Sequence, residues 1–425
     1  MADNVSEPAF NAFVALDWAD QKHAFALDDA ATGERQTGFL DHTPEQVHAW
    51  ASDLISRFGP GPVAVCLEQS RGPLVSMLLQ FENFVVYPVP PQTVAKLRQA
   101  FYGSGSKDDP LDADLLLDIL QHHRRHPRRL TPDTVEIRKL QLLVADRRDL
   151  VDEKTRHKNR LTDRLKQYYP QPLQWFDDLE QPVALDFLER WPTLEQAQRA
   201  RPAVLRRFFA KHGCHNRQRN EQRIGGIGQA RPLTQDAAIR EPGRARVLTE
   251  VALLRQLRQG IAELENMIEE LTAAHQDFAL FEGLPGAGKA LAPRLLAAFG
   301  SRRERFENAG EVRTTSGIAP VRNQSGKREW VHVRWACPKF LRRTFHEFAA
   351  FSVRQSVWAR AFYEQKRAQG KDHHAAVRAL AFKWIRILYR CWQDSKPYEE
   401  SRYLAALERS GSALFQELPV AVESL

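Results

Sequence analysis

The sequence predicts a three-part chain. An α/β domain occupies residues 10–130, two long helices enclose an insert over 131–277, and a mostly α-helical domain fills 278–400 ahead of a tail at 401–425. Three observations lead there. Short apolar runs alternate with helical patterns up to about residue 120. Two later stretches repeat apolar residues at heptad spacing, and from residue 278 the pattern is helical, basic and aromatic.

The α/β part comes first. "NAFVALDW" and "HAFALDDAATGERQTGFL" read as strands with a turn near Ala31-Thr32-Gly33, and "PVAVCLEQ" as a buried strand. "PLVSMLLQF" reads as a helix, "NFVVYPVP" as another strand and "TVAKLRQAF" as a further helix. A long helix is then predicted from Thr131 as N-cap, with Pro132 at its first position, to about Tyr168, where Pro170 stops it. Leu140, Leu143, Leu150, Leu161 and Leu165 keep rough heptad spacing along it, interrupted by Arg147 and Lys154.

The proline and glycine content of residues 169–243 predicts an irregular insert. Within it, "KHGCHNR" sets two histidines beside a cysteine with no second ligand pair, which reads as basic surface rather than zinc. A second long helix follows over about 244–275. Val247, Leu254, Ile261 and Ile268 occupy one heptad position and Leu257, Leu264 and Leu271 the other, predicting a coiled-coil hairpin or dimer arm, or a bundle within the chain. "PKFLRRTFHEFAAFSVRQSVWARAFYEQK" and "HHAAVRALAFKWIRILYRCW" read as amphipathic helices, and the last 25 residues as a frayed tail.

Composition narrows the partners. Net charge is +8, unevenly spread: residues 1–60 hold ten acids against three bases, whereas 201–231 hold eight bases against Glu221 alone. A localised basic stretch beside an acidic domain favours a polyanion, most simply nucleic acid, over a merely solvated surface. No apolar run reaches the roughly 18 residues of a membrane span, and "MADNVSEPAF" lacks the apolar core of a secretory signal. Four scattered cysteines without a C-x-x-C pair read as reduced thiols. The expectation is a cytoplasmic protein without membrane partners.

"FEGLPGAGKALAPRLLAAFG" spells a phosphate loop from Gly283 to Lys289, but Ala290 stands where a magnesium-binding hydroxyl is required, and no acidic second strand follows. A helix-hairpin-helix element fits better. Its Gly286 and Gly288 amides and Lys289 would grip a nucleic-acid phosphate; a tight helix–helix turn is the plain alternative.

The acids carry the sharper signal. Asp17 closes the first strand and Glu68 a later one. "SKDDPLDADLL" adds Asp109 and Asp112, which share a helix face at i and i+3; Asp108 could replace Asp109, paired with Asp112 at i and i+4. Asp20, Asp28, Asp29 and Asp114 lie nearby, and each acid could equally be a cap or a surface charge. Four such carboxylates suit two Mg²⁺ ions, since hard oxygen ligands match a hard cation. The order strand Asp, strand Glu, helix Asp-x-x-Asp resembles the RuvC-like branch of the RNase H fold. Further on, "TTSGIAPVRNQSGKREW" places Ser325 beside Gly326 and Lys327, with Arg322, Arg328 and Arg334 near in sequence. That setting suits a serine attacking a phosphodiester among cations, although a turn serine is the commoner reading.

Together "VALDWADQKH", "CLEQSRGPL", "KDDPLDADLL", "KNRLTDRLKQYY", "LPGAGKALAPRLLAAFG", "SGIAPVRNQSGK" and "YEESRY" resemble, in this order and over most of the chain, the DEDD transposases of bacterial insertion sequences. These belong to the "one-ten" family of serine-assisted, RNA-guided recombinases. The resemblance implies a metal-binding quartet at Asp17, Glu68, Asp109 and Asp112 and a catalytic serine at Ser325. It implies a composite active site between subunits of a homo-oligomer, dimer or tetramer, and a structured noncoding bridge RNA that pairs with donor and target DNA. Phosphate backbone would fall to Gly286, Gly288, Lys289, Arg322, Lys327 and Arg328. Two departures stand out. "WACPKFLRR" replaces the usual Lys-x-Gly-Asn segment, so the helix would start with Pro338 at its first position. The insert at 169–243 exceeds what a minimal coiled-coil arm needs, and RNA binding is a role open to it. The rival readings are a metal-dependent nuclease or junction resolvase without serine chemistry, and a noncatalytic nucleic-acid scaffold.

Overall fold

The computed structural model describes residues 9–102, 109–124, 127–326, 328–416 and 418. The chain divides into two compact units, Met1–Pro132 and Asp133–Leu425.

In the first unit the elements run β1 (Ala12–Asp17), β2 (Lys22–Asp29), β3 (Arg35–Asp41), α1 (Pro44–Phe58), β4 (Val63–Leu67), α2 (Pro73–Leu78), β5 (Phe84–Pro88), α3 (Pro91–Phe101) and α4 (Asp109–His122). The sheet order is β3-β2-β1-β4-β5. The first three strands are antiparallel neighbours, while β4 pairs parallel to β1 and β5 parallel to β4. This mixed five-stranded sheet fits the RuvC-like expectation. The second apolar segment is itself a hairpin: the Asp29 carboxylate accepts N–H bonds from Ala31 (2.8 Å) and Thr32 (3.3 Å), and Gly33 supplies a left-handed φ of 73°.

Alternation along the strands builds two cores. Val14, Leu16, Val65, Leu67 and Val86 face Val47, Ala51 and Leu54 of α1 and the leucines of α2. Ala15, Ala24, Ala26, Ala64 and Cys66 face α4. Those small side chains leave room for the leucine-rich α4 to lie close on the sheet. Helix α1 was not among the expected elements, because its polar residues dilute an apolar stripe of only three positions. Thr43 caps it, accepting from the Gln46 N–H.

The second unit begins with α5 (Val135–Tyr168), one turn later than Thr131 and Pro132 suggest. Thr134 is the N-cap, its hydroxyl accepting from Ile137 N–H, while the Asp133 carboxylate accepts from the Thr134 and Ser301 N–H groups. Next come α6 (Pro172–Trp175), α7 (Pro182–Arg190), α8 (Leu194–Arg199), α9 (Pro202–Lys211), α10 (Arg217–Gln229) and α11 (Ala237–Ala273). The insert is therefore helical, not irregular. Its prolines start helices: Pro172, Pro182 and Pro202 all occupy first-turn positions, where a missing N–H costs nothing. Aromatics from this insert (Trp175, Phe187, Phe208 and Phe209) form a core of their own with Leu161, Leu165, Tyr168, Val247 and Leu254 of the two long helices.

Helix α11 starts at Ala237, capped by Asp236, and accommodates Pro242 within its second turn. It runs antiparallel to α5: Arg147 pairs with Glu265, His157 with Glu250, and the ring of Tyr168 lies over Gly243. Val247, Leu254, Ile261 and Ile268 are buried, whereas Leu257, Leu264 and Leu271 are half-buried. The heptad seam is thus used within the chain.

The remaining elements are α12 (Ala279–Glu282), α13 (Gly288–Phe299), α14 (Ala309–Thr315), β6 (Val321–Ser325), β7 (Arg328–His332), α15 (Lys339–Ser352), α16 (Val357–Ala368), α17 (His373–Gln393), α18 (Glu400–Arg409) and α19 (Ala413–Gln416). Pro338 is the N-cap of α15 rather than its first residue. The core here collects Trp358, Trp384, Trp392, Phe345 and Phe348 around α13, together with Ile137, Leu140 and Val144 from α5. The expected tail is docked as far as it is described: Leu407, Leu414 and Leu418 are buried in this core.

Candidate functional site

Strand order places the first acids. β1 ends on Asp17 and β4 on Leu67, and Leu16 pairs with Leu67 in a parallel register. Asp17 and Glu68 therefore leave the sheet side by side at its carboxyl edge, the usual place for a ligand in such sheets. Asp17 is buried and Glu68 half-buried. Helix α4 packs across the face of the sheet built by Ala15, Ala24, Ala26, Ala64 and Cys66. Its C-terminal end is fixed at the opposite edge by Gln121, whose Nε2 donates to Asp28 at 2.7 Å. Asp109 and Asp112 sit in its first turn. Asp108 and Lys327 lie outside the described residues.

Asp112 is only 1% exposed, and its carboxylate accepts from Arg98 of α3 through both oxygens, with Nε at 2.6 Å from Oδ1 and Nη2 bonded to Oδ2. Sequence gave no hint of this bidentate pair, because its members lie on different helices. Three of the neighbouring acids have structural partners. Asp28 holds Arg35 (Nε at 2.9 Å), which also lies 3.7 Å from Asp114, and Asp29 closes the hairpin. Among the described residues no three His, Cys, Asp or Glu side chains converge closely enough to hold an ion. The donor set is nonetheless all carboxylate and suits a hard divalent cation. Its fourth member must share its oxygens with Arg98.

Behind Asp17 lies a second group that sequence reading missed. The buried His23 accepts from the Ala19 N–H at Nδ1 (3.1 Å), and its Nε2 sits 2.9 Å from His42 Nδ1. Trp18 stacks on the His23 ring at 5.0 Å. Burial, with the neighbouring His42, lowers the His23 pKa from 6.5 to about 4, so the imidazole is neutral near pH 7. The signal was present in "DWADQKH", but only the β1–β2 turn and the β3 terminus bring the rings together. Burial likewise pushes the Cys66 thiol upward, which makes it an inert core residue.

In the second unit Ser325 ends β6 and pairs across a two-residue loop with Arg328; Gly326 takes the left-handed φ of 59° that such a loop demands. Ser325, Arg322 and Arg328 are all exposed. Strand alternation puts Ser325, Arg328, Asn323 and Trp330 on one face of the hairpin and Arg322 on the other. Arg328, not Arg322, is thus the cation beside the serine. Trp330 is 50% exposed on that same face.

The glycine-rich turn differs from expectation. The Gly286 N–H donates to Gln355 Oε1 at 2.7 Å, so it is not available to a phosphate. A Cβ at Gly286 would stand 2.7 Å from the Phe351–Ser352 backbone. Helix α12 is a single turn, and residues 291–299 of α13 are all buried, as befits a tight helix–helix turn in a core. Gly288 takes a left-handed φ of 53° at the start of α13, and the Lys289 side chain is 93% exposed, 3.4 Å from Glu269. Arg294, buried in α13, pairs with Glu347 at 2.6 Å and donates to Thr344 at 3.1 Å.

Comparison with known proteins matches two stretches of the chain. A family model described as transposase, of the DEDD IS110 type, matches residues 14–170. A second, described as transposase of the IS116/IS110/IS902 family, matches residues 279–364. The chain is 28% identical over 413 residues to a mini-circle protein of Streptomyces coelicolor named as a transposase for IS117, covering 94% of this chain and 98% of that protein. It is 27% identical over 340 residues to the 42 kDa protein of insertion element IS900 of Mycobacterium paratuberculosis, covering 78% and 82%. The 44.8 kDa protein of IS116 of Streptomyces clavuligerus is 27% identical over 333 residues, covering 76% and 80%. No helix among the described residues is long and apolar enough to cross a membrane.

Proposed function

The chain belongs to the IS110 family of insertion-sequence transposases, and on that premise we propose that it cuts and rejoins DNA with two sets of residues: a carboxylate site at Asp17, Glu68, Asp109 and Asp112, and a serine nucleophile at Ser325. As a DNA transposase it takes DNA as substrate, and its DEDD class implies a divalent metal; Mg²⁺ is our assignment, from the hardness of the oxygen donors.

The observation that carries the reading is the parallel β1–β4 register. It sets the ends of β1 and β4, and with them Asp17 and Glu68, next to each other at one edge of the sheet, which supports the carboxylate reading. When bound there, the metal supplies electrostatic stabilisation of the attacking and leaving oxygens. The chain's own residues do the rest. Asp17 and Glu68 hold the site from the sheet, and His23 braces the turn that follows Asp17 by accepting the Ala19 N–H. Ser325 Oγ attacks a phosphodiester phosphorus, so that a Ser–O–P bond forms as the P–O bond to the leaving strand breaks and the serine proton ends on that strand's freed hydroxyl oxygen, while Arg328 on the same hairpin face neutralises the developing charge. The exposed Lys289 contributes charge to the backbone grip, whereas Gly286 serves the turn. A structured RNA encoded by the element guides the exchange, and the chain works as a homo-oligomer; the excess of cations over acids supports a polyanionic partner.

The test is excision in cells, with the gene flanked by its native noncoding DNA and the abutted-end circle junction sequenced. Wild type should give a precise junction, and Ser325→Ala and Asp17→Ala none. A junction that persists in Ser325→Ala would leave a metal-only nuclease as the reading.

A further inference from the structure

The α5–α11 pair carries a cavity of about 320 Å³ lined by Arg160, Asp163 and Arg164 of α5 and Arg246 of α11. Three guanidinium groups meet one carboxylate there, so the lining carries a net charge of +2 (three minus one). The antiparallel register sets Arg164 across from Arg246, with Arg160 one turn away on the same face of α5.

The cations are in different states. Arg246 is anchored: its Nη2 lies 2.6 Å from Oε1 of Glu250, a side chain with no exposure at all. The other oxygen of Glu250 is 2.6 Å from His157 Nδ1 on α5. A buried carboxylate is costly to hold without a countercharge, and this one keeps Arg246 beside it as an ion-pair partner. Arg164 donates only to a neutral group, Gln167 Oε1 at 2.8 Å. Among the described residues neither Arg160 nor Arg164 is ion-paired, and Asp163 accepts only from Gln167, at 3.2 Å. Two guanidiniums without an ion-pair partner among the described residues therefore line the cavity with a third that is paired to Glu250.

We propose that this cavity binds a backbone phosphate of nucleic acid. Tetrahedral phosphate oxygens accept forks from both helices at once, which a planar carboxylate does less well, and Arg presents such forks in fixed geometry. The site lies apart from Ser325 and the carboxylates in sequence, and its role is to position the polyanion along the long helices. The occupant rests on the reading that the protein handles nucleic acid. Duplex DNA and RNA share the phosphodiester, so the experiment uses both.

The full-length protein is titrated with a 30-base-pair duplex DNA and with a single-stranded RNA of equal length across a range of salt. One lost phosphate contact lowers the slope of log K against log salt by about 0.9 on duplex DNA or about 0.7 on a single strand. R160Q/R164Q, which touches no acidic partner, should show that drop on one of the two probes, and the affected probe identifies the source. R160K/R164K keeps the charge and should restore most of the slope. Wild type binding both probes with slopes unchanged in R160Q/R164Q overturns the site while leaving the transposase reading intact. An equal fall in R160K/R164K would point to altered folding and also overturn it. Wild type binding neither probe would sink the nucleic-acid reading itself.

Discussion

Replacing Arg98 by Gln tests how the acidic edge of the first unit is held together. Asp112 keeps 2% of its side-chain surface exposed and Arg98 17%, and both carboxylate oxygens are bound by the one guanidinium. Removing the cation leaves a desolvated carboxylate with no compensating charge, and breaking buried pairs in this way costs about 3–5 kcal/mol. At about 2–4 °C per kcal/mol for a domain somewhat larger than this unit, the transition should fall by at least roughly 6 °C. Scanning calorimetry of the full chain reads it. The reverse single change, Asp112→Asn, should cost less, because Arg98 can turn its freed end to water. Arg98→Gln with Asp112→Asn should recover most of the loss, since no charge is then buried. Because the same carboxylate is a proposed metal ligand, added Mg²⁺ should stabilise Arg98→Gln more than wild type: the ion then replaces the missing cation. A loss below about 1 kcal/mol, or a double variant no better than Arg98→Gln, would refute the argument that this pair neutralises a buried charge.

Other expectations follow from the same geometry. His23 titrates at about 4 in the folded chain against 6.5 unfolded, so the unfolded chain binds more protons between those values; stability should fall by up to about 3 kcal/mol as pH drops from 6.5 to 4, then level off. His23→Gln should flatten that part of the profile in denaturant titrations at each pH, and an unchanged difference from wild type across the window would count against a neutral buried ring. Gly286→Ala meets backbone atoms at 2.7 Å and a φ of 84°, so it should cost about 1–3 kcal/mol in urea melts, whereas Gly326→Ala, with open space around its Cβ position, should cost only the roughly 1 kcal/mol of its left-handed φ. Glu68→Gln should lower circle-junction yield by at least about a hundredfold with an unshifted melting curve; a parallel loss of folding would instead assign Glu68 to structure.

How much of this was legible in the sequence depends on range. Strands β1, β4 and β5 and helices α2 and α3 were readable because their apolar periods are local. So was the order of the acids, since Asp17 and Glu68 each close an apolar run. The insert misled because proline marks both a break and a helix start, and only the packed Trp175, Phe187 and Phe209 decide between them. The heptad of α11 declared a buried stripe but not its partner; the antiparallel docking on α5 supplied it.

Which side chains are available can be read along the chain: carboxylates at strand ends, a serine in a glycine turn among cations, arginines on two long helices. Which of them meet is settled by packing between elements. Arg98 on Asp112, His23 on His42, Gln355 on the Gly286 amide and His157 on Glu250 all join different elements. Such pairings follow from the sheet order and helix docking. The free energy that fixes those is summed over whole apolar faces, so no short motif records it.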